Sequence, residues 1–151
     1  MLTSDLRDWL KERKKNRRFK LIEGADWNLE ISTVAQLNTS KEPPALLFTG
    51  IKDYPPGYGV VCGALRSQSN IESVMNLPAH KSKLELLKTF QTKFPEWESK
   101  AGEFPPQFVD SGPIMEEVHS GKDVNILEFP APKWHDLDGG RYIGTGDIII
   151  T

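Results

Sequence analysis

The residues with the most chemical potential crowd into the stretch "PKWHDLDGGRYIGTGDIIIT", residues 132–151. His135, Asp136 and Asp138 place an imidazole and two carboxylates within one short loop, a donor set that a divalent cation can use. The same residues have a second reading. Asp138-Gly139-Gly140 is turn chemistry, because Asp and Gly tolerate positive φ. Gly139, Gly140, Gly144 and Gly146 let backbone approach a ligand closely. Thr145 stands between two of them, and a hydroxyl flanked by glycines with free N–H groups nearby suits a phosphate or cofactor contact. Arg141 adds positive charge beside it.

Other candidates carry less. Cys62 follows Val60 and Val61 in an apolar run, where a thiol is an inert small hydrophobe. His80 and His119 stand among charged residues with no second ligand at metal spacing, which predicts surface histidines. "GYGVVCG" and "GTGDII" begin like dinucleotide fingerprints but lack the glycine at the sixth position. No G-x-S-x-G elbow, P-loop or H-E-x-x-H occurs. "KERKKNRRFK" sets seven cations against Glu12. It reads either as a phosphate or nucleic-acid patch or as a solvated helix C-terminus, where cations suit the dipole. The net charge of −2 favours the second reading and argues against nucleic acid as a partner.

These residues need elements to hold them. A chain of 151 residues with 38% hydrophobic and 26% charged residues suits one globular domain with a real core. A single cysteine excludes an internal disulfide and a cysteine-rich zinc site. "MLTSDLRDWL" has acids and no apolar stretch of signal-peptide type, and no window approaches a membrane span, so the expected compartment is the cytoplasm, with no membrane partner.

Ser4 or Thr3 can cap a first helix with Leu6, Trp9 and Leu10 on one face. "FKLIEG" reads as a strand. Asp26 can cap a second helix carrying Ile31, Val34 and Ala35. "ALLFTGI" and "YGVVCGAL" read as buried strands joined by the turn "DYPPGYG". A short helix opens at Ser69 or Asn70. A longer one over "KSKLELLKTFQTKF" carries Leu84, Leu86, Leu87, Phe90 and Phe94 as an apolar stripe. "PEWESKAGEFPPQ" reads as an excursion over the surface, and the chain beyond it as mostly extended until the strand "RYIGTGDIIIT". The helix–strand–helix–strand–strand order argues for an α/β or α+β domain.

The closing stretch resembles the segment that enters the cofactor domain of the UbiD-like decarboxylases, which use prenylated FMN to decarboxylate aromatic and α,β-unsaturated acids. "DLRDWLKERKKNRRFKLIEGADWNLEISTVAQL" resembles that family's opening helix, strand and "D-x-x-L-E-I" helix. "PPALLFTGIKDYPPGYGVVCGAL" resembles its next two strands, and "FVDSGPIMEEVHSGKDVNILEFPAPKWH" its "G-P…V…G-x-D-V-x-L…P-x-P…H" stretch. "WH-x-x-DGGRYIGTG" is most like members acting on phenolic or heteroaryl carboxylic acids.

The resemblance implies an N-terminal α/β domain over residues 1–131, and over 132–151 the first strand of a flavin-binding split β-barrel. It implies a cofactor contact at Thr145, flanked by Gly144 and Gly146, and a structural turn at Asp138-Gly139-Gly140. It gives the metal to residues outside this chain, and it does not place the catalytic arginine at Arg141. Members are longer, and their "N-x-x-x-x-R" segment, remaining metal ligands and catalytic glutamates would follow Thr151. The chain is therefore expected to be the N-terminal portion of a carboxy-lyase that uses prenylated FMN with Mn2+ and K+, forms a homo-oligomer at full length and takes a small aromatic acid. By itself it is expected to hold no cofactor stably and to be inactive. The alternative is a non-catalytic assembly module that pairs through "GDIIIT" as an edge strand.

Overall fold

The computed structural model describes residues 5–144, with the side chain of Ile114 excepted. The expected strand "RYIGTGDIIIT" falls mostly, and Thr145 and Gly146 wholly, outside the described residues.

Helix α1 spans Leu6–Lys15 and is capped by Asp5, whose carboxylate accepts the Asp8 N–H at 2.8 Å. Its last turn is basic, as the helix dipole favours. Arg13 departs from the solvated-face reading, being only 7% exposed. It donates to Ser69 O at 3.1 Å and to Glu12 Oε1 at 2.8 Å, and so ties α1 to the segment around Ser69. Burial pulls the Glu12 pKa up, but the hydrogen bonds from Arg13 and Ser73 and the charge of Arg13 outweigh it and hold the carboxyl below its ordinary value.

Strand β1 (Phe19–Glu23), helix α2 (Glu30–Leu37) and strand β2 (Ala45–Thr49) form a β-α-β crossover, so β1 and β2 pair in parallel from Phe19↔Ala45 to Glu23↔Thr49. Strand β3 (Gly59–Cys62) returns through the "DYPPGYG" turn and pairs antiparallel with β2, Leu46 facing Cys62 and Thr49 facing Gly59. The sheet order is β1-β2-β3. Gly59 is required by close approach: a Cβ there would lie 3.0 Å from Phe48 O and 3.3 Å from Leu47 Cδ1.

Three boundaries differ from expectation. Helix α1 is capped by Asp5 rather than by Ser4 or Thr3. Asp26 does not cap α2. Its carboxylate accepts the Asn28 N–H in an Asx turn and pairs with Lys52, while left-handed Leu29 occupies the cap position. Helix α3 (Gln68–Val74) is capped by Ser67, before Ser69 and Asn70, and Asn70 is buried and spends its side chain on Gly63 O and Arg13. Central β2 is buried as expected, whereas β3 is only half-buried.

The core lies between α2 and the sheet. Ala25, Ile31, Ala35, Leu46, Phe48 and Ile51 are buried together, with Trp27, Tyr54 and, from far along the chain, Trp134 packed against them. The chain forms two compact units, one of residues 1–78 with 127–151 and one of 79–126. In the second, α4 (Lys83–Lys100) is capped by Ser82 and continues through Pro95, past the end that proline predicts. Lys93 and Lys100 both pair with Glu96, holding its carboxyl down at about 2, and Phe90, Phe94 and Trp97 stack along the helix. Leu86 is buried, but Leu84, Leu87 and Phe94 are exposed, so the stripe is not a core face here. Short 3-10 turns at Ala101–Glu103, Pro113–Met115, Gly121–Asp123 and Ile126–Glu128 punctuate an otherwise irregular stretch. Among the described residues no helix is long and apolar enough to cross a membrane.

Candidate functional site

The glycine-rich stretch is not a free tail. It is pinned to the sheet unit at several points before and after the turn. Asn28 and Lys133 form a parallel bridge, with the Lys133 N–H donating to Trp27 O at 3.0 Å and the Leu29 N–H to Lys133 O at 3.2 Å. Pro130, Ala131 and Pro132 are buried. Upstream, the Tyr54 hydroxyl donates to Leu127 O at 3.0 Å, and the Tyr58 ring meets Phe129 edge-on at 6.3 Å. The loop base is closed by the Tyr142 N–H on Pro132 O at 2.9 Å and the Trp134 indole on Tyr142 O at 3.3 Å.

Within that frame His135–Asp138 is a tight turn. The Asp138 N–H donates to His135 O at 3.2 Å, and the Asp138 carboxylate accepts the His135 N–H at 2.9 Å. Gln36 on α2 brings its amide nitrogen 3.2 Å from His135 Nε2. An amide nitrogen only donates, so Nε2 accepts, and the proton of a neutral ring sits on Nδ1, 3.5 Å from Asp138 Oδ2. Asp138 is thus occupied by the turn, and among the described residues no group of three His, Cys, Asp or Glu side chains gathers to hold a metal. Neither Asp138, Gly139 nor Gly140 has positive φ. A Cβ at Gly139 or Gly140 would meet nothing within 4 Å. Neither backbone strain nor local packing explains these two glycines. What they leave is open space at the loop surface.

That space is an open groove of about 650 Å³, lined by Trp134, His135, Asp138, Arg141 and Tyr142 together with Gly139, Gly140, Ile143 and Gly144. The volume lies within the roughly 300–1,000 Å³ range of small-molecule sites. Two aromatic faces, a carboxylate, a guanidinium and exposed glycine backbone line the groove. Gly144 lies on the groove wall, while Thr145 and Gly146 lie outside the described residues.

Arg141 is the residue whose setting sequence reasoning missed. Its guanidinium stacks 3.5 Å above the Trp27 ring and 5.8 Å from the centre of Tyr54, and its Nη1 donates to the Tyr54 hydroxyl. The available signal was aromatic residues inside turn stretches, Trp27 in "GADWNLE" and Tyr54 in "DYPPGYG", where no strand face explains them. The remaining candidates take no part in the groove. Cys62 is half-buried, and burial pushes its thiol up to about 11, far from a reactive thiolate. His80 bonds Thr89 Oγ1 at 2.8 Å, and His119 is exposed.

Comparison with known proteins agrees with this geometry. Residues 8–89 match the 3-octaprenyl-4-hydroxybenzoate carboxy-lyase N-terminal domain, and residues 107–151 match the Rift-related domain of the same enzymes. The chain is 30% identical over 127 residues to the pyrrole-2-carboxylic acid decarboxylase of Pseudomonas aeruginosa, covering 80% of this chain and 25% of that protein. The open form of the vanillic acid decarboxylase of Sedimentibacter hydroxybenzoicus superposes with a TM-score of 0.68 at 25% identity, over 93% of this chain and 30% of that one. An evolved dimeric form of the UbiD-class enzyme HmfF from Pelotomaculum thermopropionicum, in complex with prFMN, shares the fold with a TM-score of 0.65 at 22% identity, over 92% of this chain and 30% of that one. The chain therefore spans about a quarter of the curated relative's length. With the N-terminal domain match covering more than half of the chain, and the groove-forming loop in the domain match that follows, this chain belongs to the UbiD family of carboxy-lyases.

Proposed function

We propose that this chain is the N-terminal portion of a cytoplasmic carboxy-lyase that reversibly decarboxylates an aromatic or α,β-unsaturated acid, with phenolic and heteroaryl acids the favoured class. The observation that carries this reading is the groove: it is built by a loop that lies within the match to the Rift-related domain. Residues 1–131 then form the N-terminal domain, and residues 132–151 open the flavin-binding barrel. Thr145, with Gly144 and Gly146, contacts prenylated FMN, which when bound supplies an electron sink for the loss of carbon dioxide. The chain's own part is to position: Gln36 of α2 and Asn28, between β1 and α2, hold the loop, and the loop presents aromatic faces and glycine backbone to a flat ligand. Mn2+ and K+ belong to residues this chain does not contain, as do the catalytic Glu–Arg–Glu groups, and the complete enzyme is a homo-oligomer.

Two measurements test the reading. The gene continues in frame beyond the Thr151 codon into an "N-x-x-x-x-R" segment, or a separate polypeptide supplies it. That complete protein, loaded with prenylated FMN, shows the flavin absorbance and releases carbon dioxide from an aromatic acid, while the 151-residue chain alone does neither. Turnover by the chain alone, or a complete protein inert toward a panel of aromatic acids, overturns it.

A further inference from the structure

Arg141 is stacked by its face and held by only one of its edges. Stacking on Trp27 occupies the plane of the guanidinium but none of its N–H groups, and Tyr54 takes one hydrogen bond at Nη1. Among the described residues Arg141 forms no ion pair. The carboxylate that shares its groove, Asp138, is turned toward His135 instead. Arg141 also lines the groove beside Gly139 and Gly140, whose backbone faces open space. A cation that its own fold fixes in place without neutralising it, at the edge of an open groove, is a preorganised receptor for an anion.

We infer that Arg141 is an oxyanion subsite that takes the carboxylate of an aromatic acid or the phosphate of a nucleotide cofactor through the N–H groups that Tyr54 leaves free. The role deepens the carboxy-lyase reading and rests on it for the identity of the ligand. It is distinct from the catalytic arginine that the family resemblance places beyond Thr151. Trp27 and Tyr54 act on it as positioning residues: they remove the rotamer freedom that a free arginine loses on binding. Trp134 and Tyr142 offer aromatic faces on the same groove for the ring of an aromatic acid.

The test uses the 151-residue chain labelled with nitrogen-15, following the Arg141 side-chain Nε–Hε resonance while benzoate and inorganic phosphate are titrated in separately. A saturable shift with benzoate alone assigns the subsite to a carboxylate. A shift with phosphate alone assigns it to a cofactor phosphate, and a shift with both to oxyanions in general. In the variants, which lack that resonance, the affinity is read from the backbone amide shifts of Gly139 and Gly140, which line the same groove: Arg141→Met lowers it by at least about tenfold, as expected for a lost charge-assisted hydrogen bond, and Arg141→Lys by less. No saturable shift with either anion, or an Arg141→Met affinity equal to wild type, overturns the proposal. The wild-type titration decides even where the variant does not fold. The outcome is separable from the enzyme reading: anion binding at Arg141 with no carbon dioxide release from the complete protein sinks the decarboxylase assignment alone.

Discussion

The two compact units treat their apolar residues in opposite ways. The sheet unit buries Ile31 and Phe48 completely and builds a continuous core around them. Residues 79–126 bury Leu86 and leave Phe94, Phe104, Val109 and Val118 exposed, with Phe108 at 93%. The cause is geometric. A three-stranded sheet with a crossover helix has two layers and can close on itself. A single long helix followed by 3-10 turns has one layer, and its stripe has nothing of its own unit to pack on. The lesson concerns position as well as stability. The groove loop belongs to the unit with the core, so it is held by a scaffold that can keep an arginine and two glycines in place.

The contrast can be broken most severely at Phe48. Phe48→Ala empties the centre of the sheet unit and should cost about 3–5 kcal/mol, read as a lower midpoint in urea unfolding followed by far-UV circular dichroism. A loss of under about 1 kcal/mol would mean that the unit does not depend on this core. Gly59→Ala comes next. The added methyl meets Phe48 O and Leu47, so the β2–β3 pairing must shift, at a cost of about 1–3 kcal/mol by the same measurement. A neutral result there would show that β3 yields easily.

Phe94→Ala should cost the sheet unit nothing measurable and α4 only its ring contacts with Phe90 and Trp97, about 0.5–1.5 kcal/mol for each pair. Native-state hydrogen exchange sharpens the point. Amides of 101–126 should exchange by local opening, well before those of β2, which should need global unfolding. Equal protection in the two units would erase the contrast.

The smallest effect is one of pH. Glu12 titrates below its unfolded value in the fold, so its stabilisation is complete above the ordinary Glu pKa and is lost as the pH falls through the lower, folded one. Glu12→Gln should therefore flatten the acid limb of the melting curve as the pH falls below the ordinary Glu pKa, with the variant and wild type converging at the acid end. An unchanged acid limb would show that the Arg13 network contributes no linkage.

Much of this was legible in the chain. The strands "FKLIE", "ALLFT" and "GVVC" and the helices between them follow from short apolar runs and from turn residues, which are local signals. The family resemblance rested on linked motifs in order, and both domain matches bear it out. The misreadings came from competition that local signals do not record. Asp26 could have capped a helix, but Lys52 and Asn28 claimed its carboxylate. Pro95 should have ended α4, but charge pairs and ring stacking carried the helix past it. Arg13 looked like one cation in a solvated run, until α3 folded over it.

By itself, then, the sequence determined which segments are strands and helices, that residues 132–144 are rich in turn-forming glycine and potential ligands, and which family they belong to. Only the tertiary structure decided what those ligands do. The His135 backbone N–H and the Asp138 carboxylate close a turn, and among the described residues no group of three potential ligands gathers around them. Arg141 is made into a fixed, unneutralised charge by Trp27 and Tyr54, residues more than eighty positions away in the chain. Spacing along the chain carries hydrogen-bond and helical periodicities. It carries no information about which distant ring will stack under a guanidinium, because that is set by how β2, β3 and α2 pack.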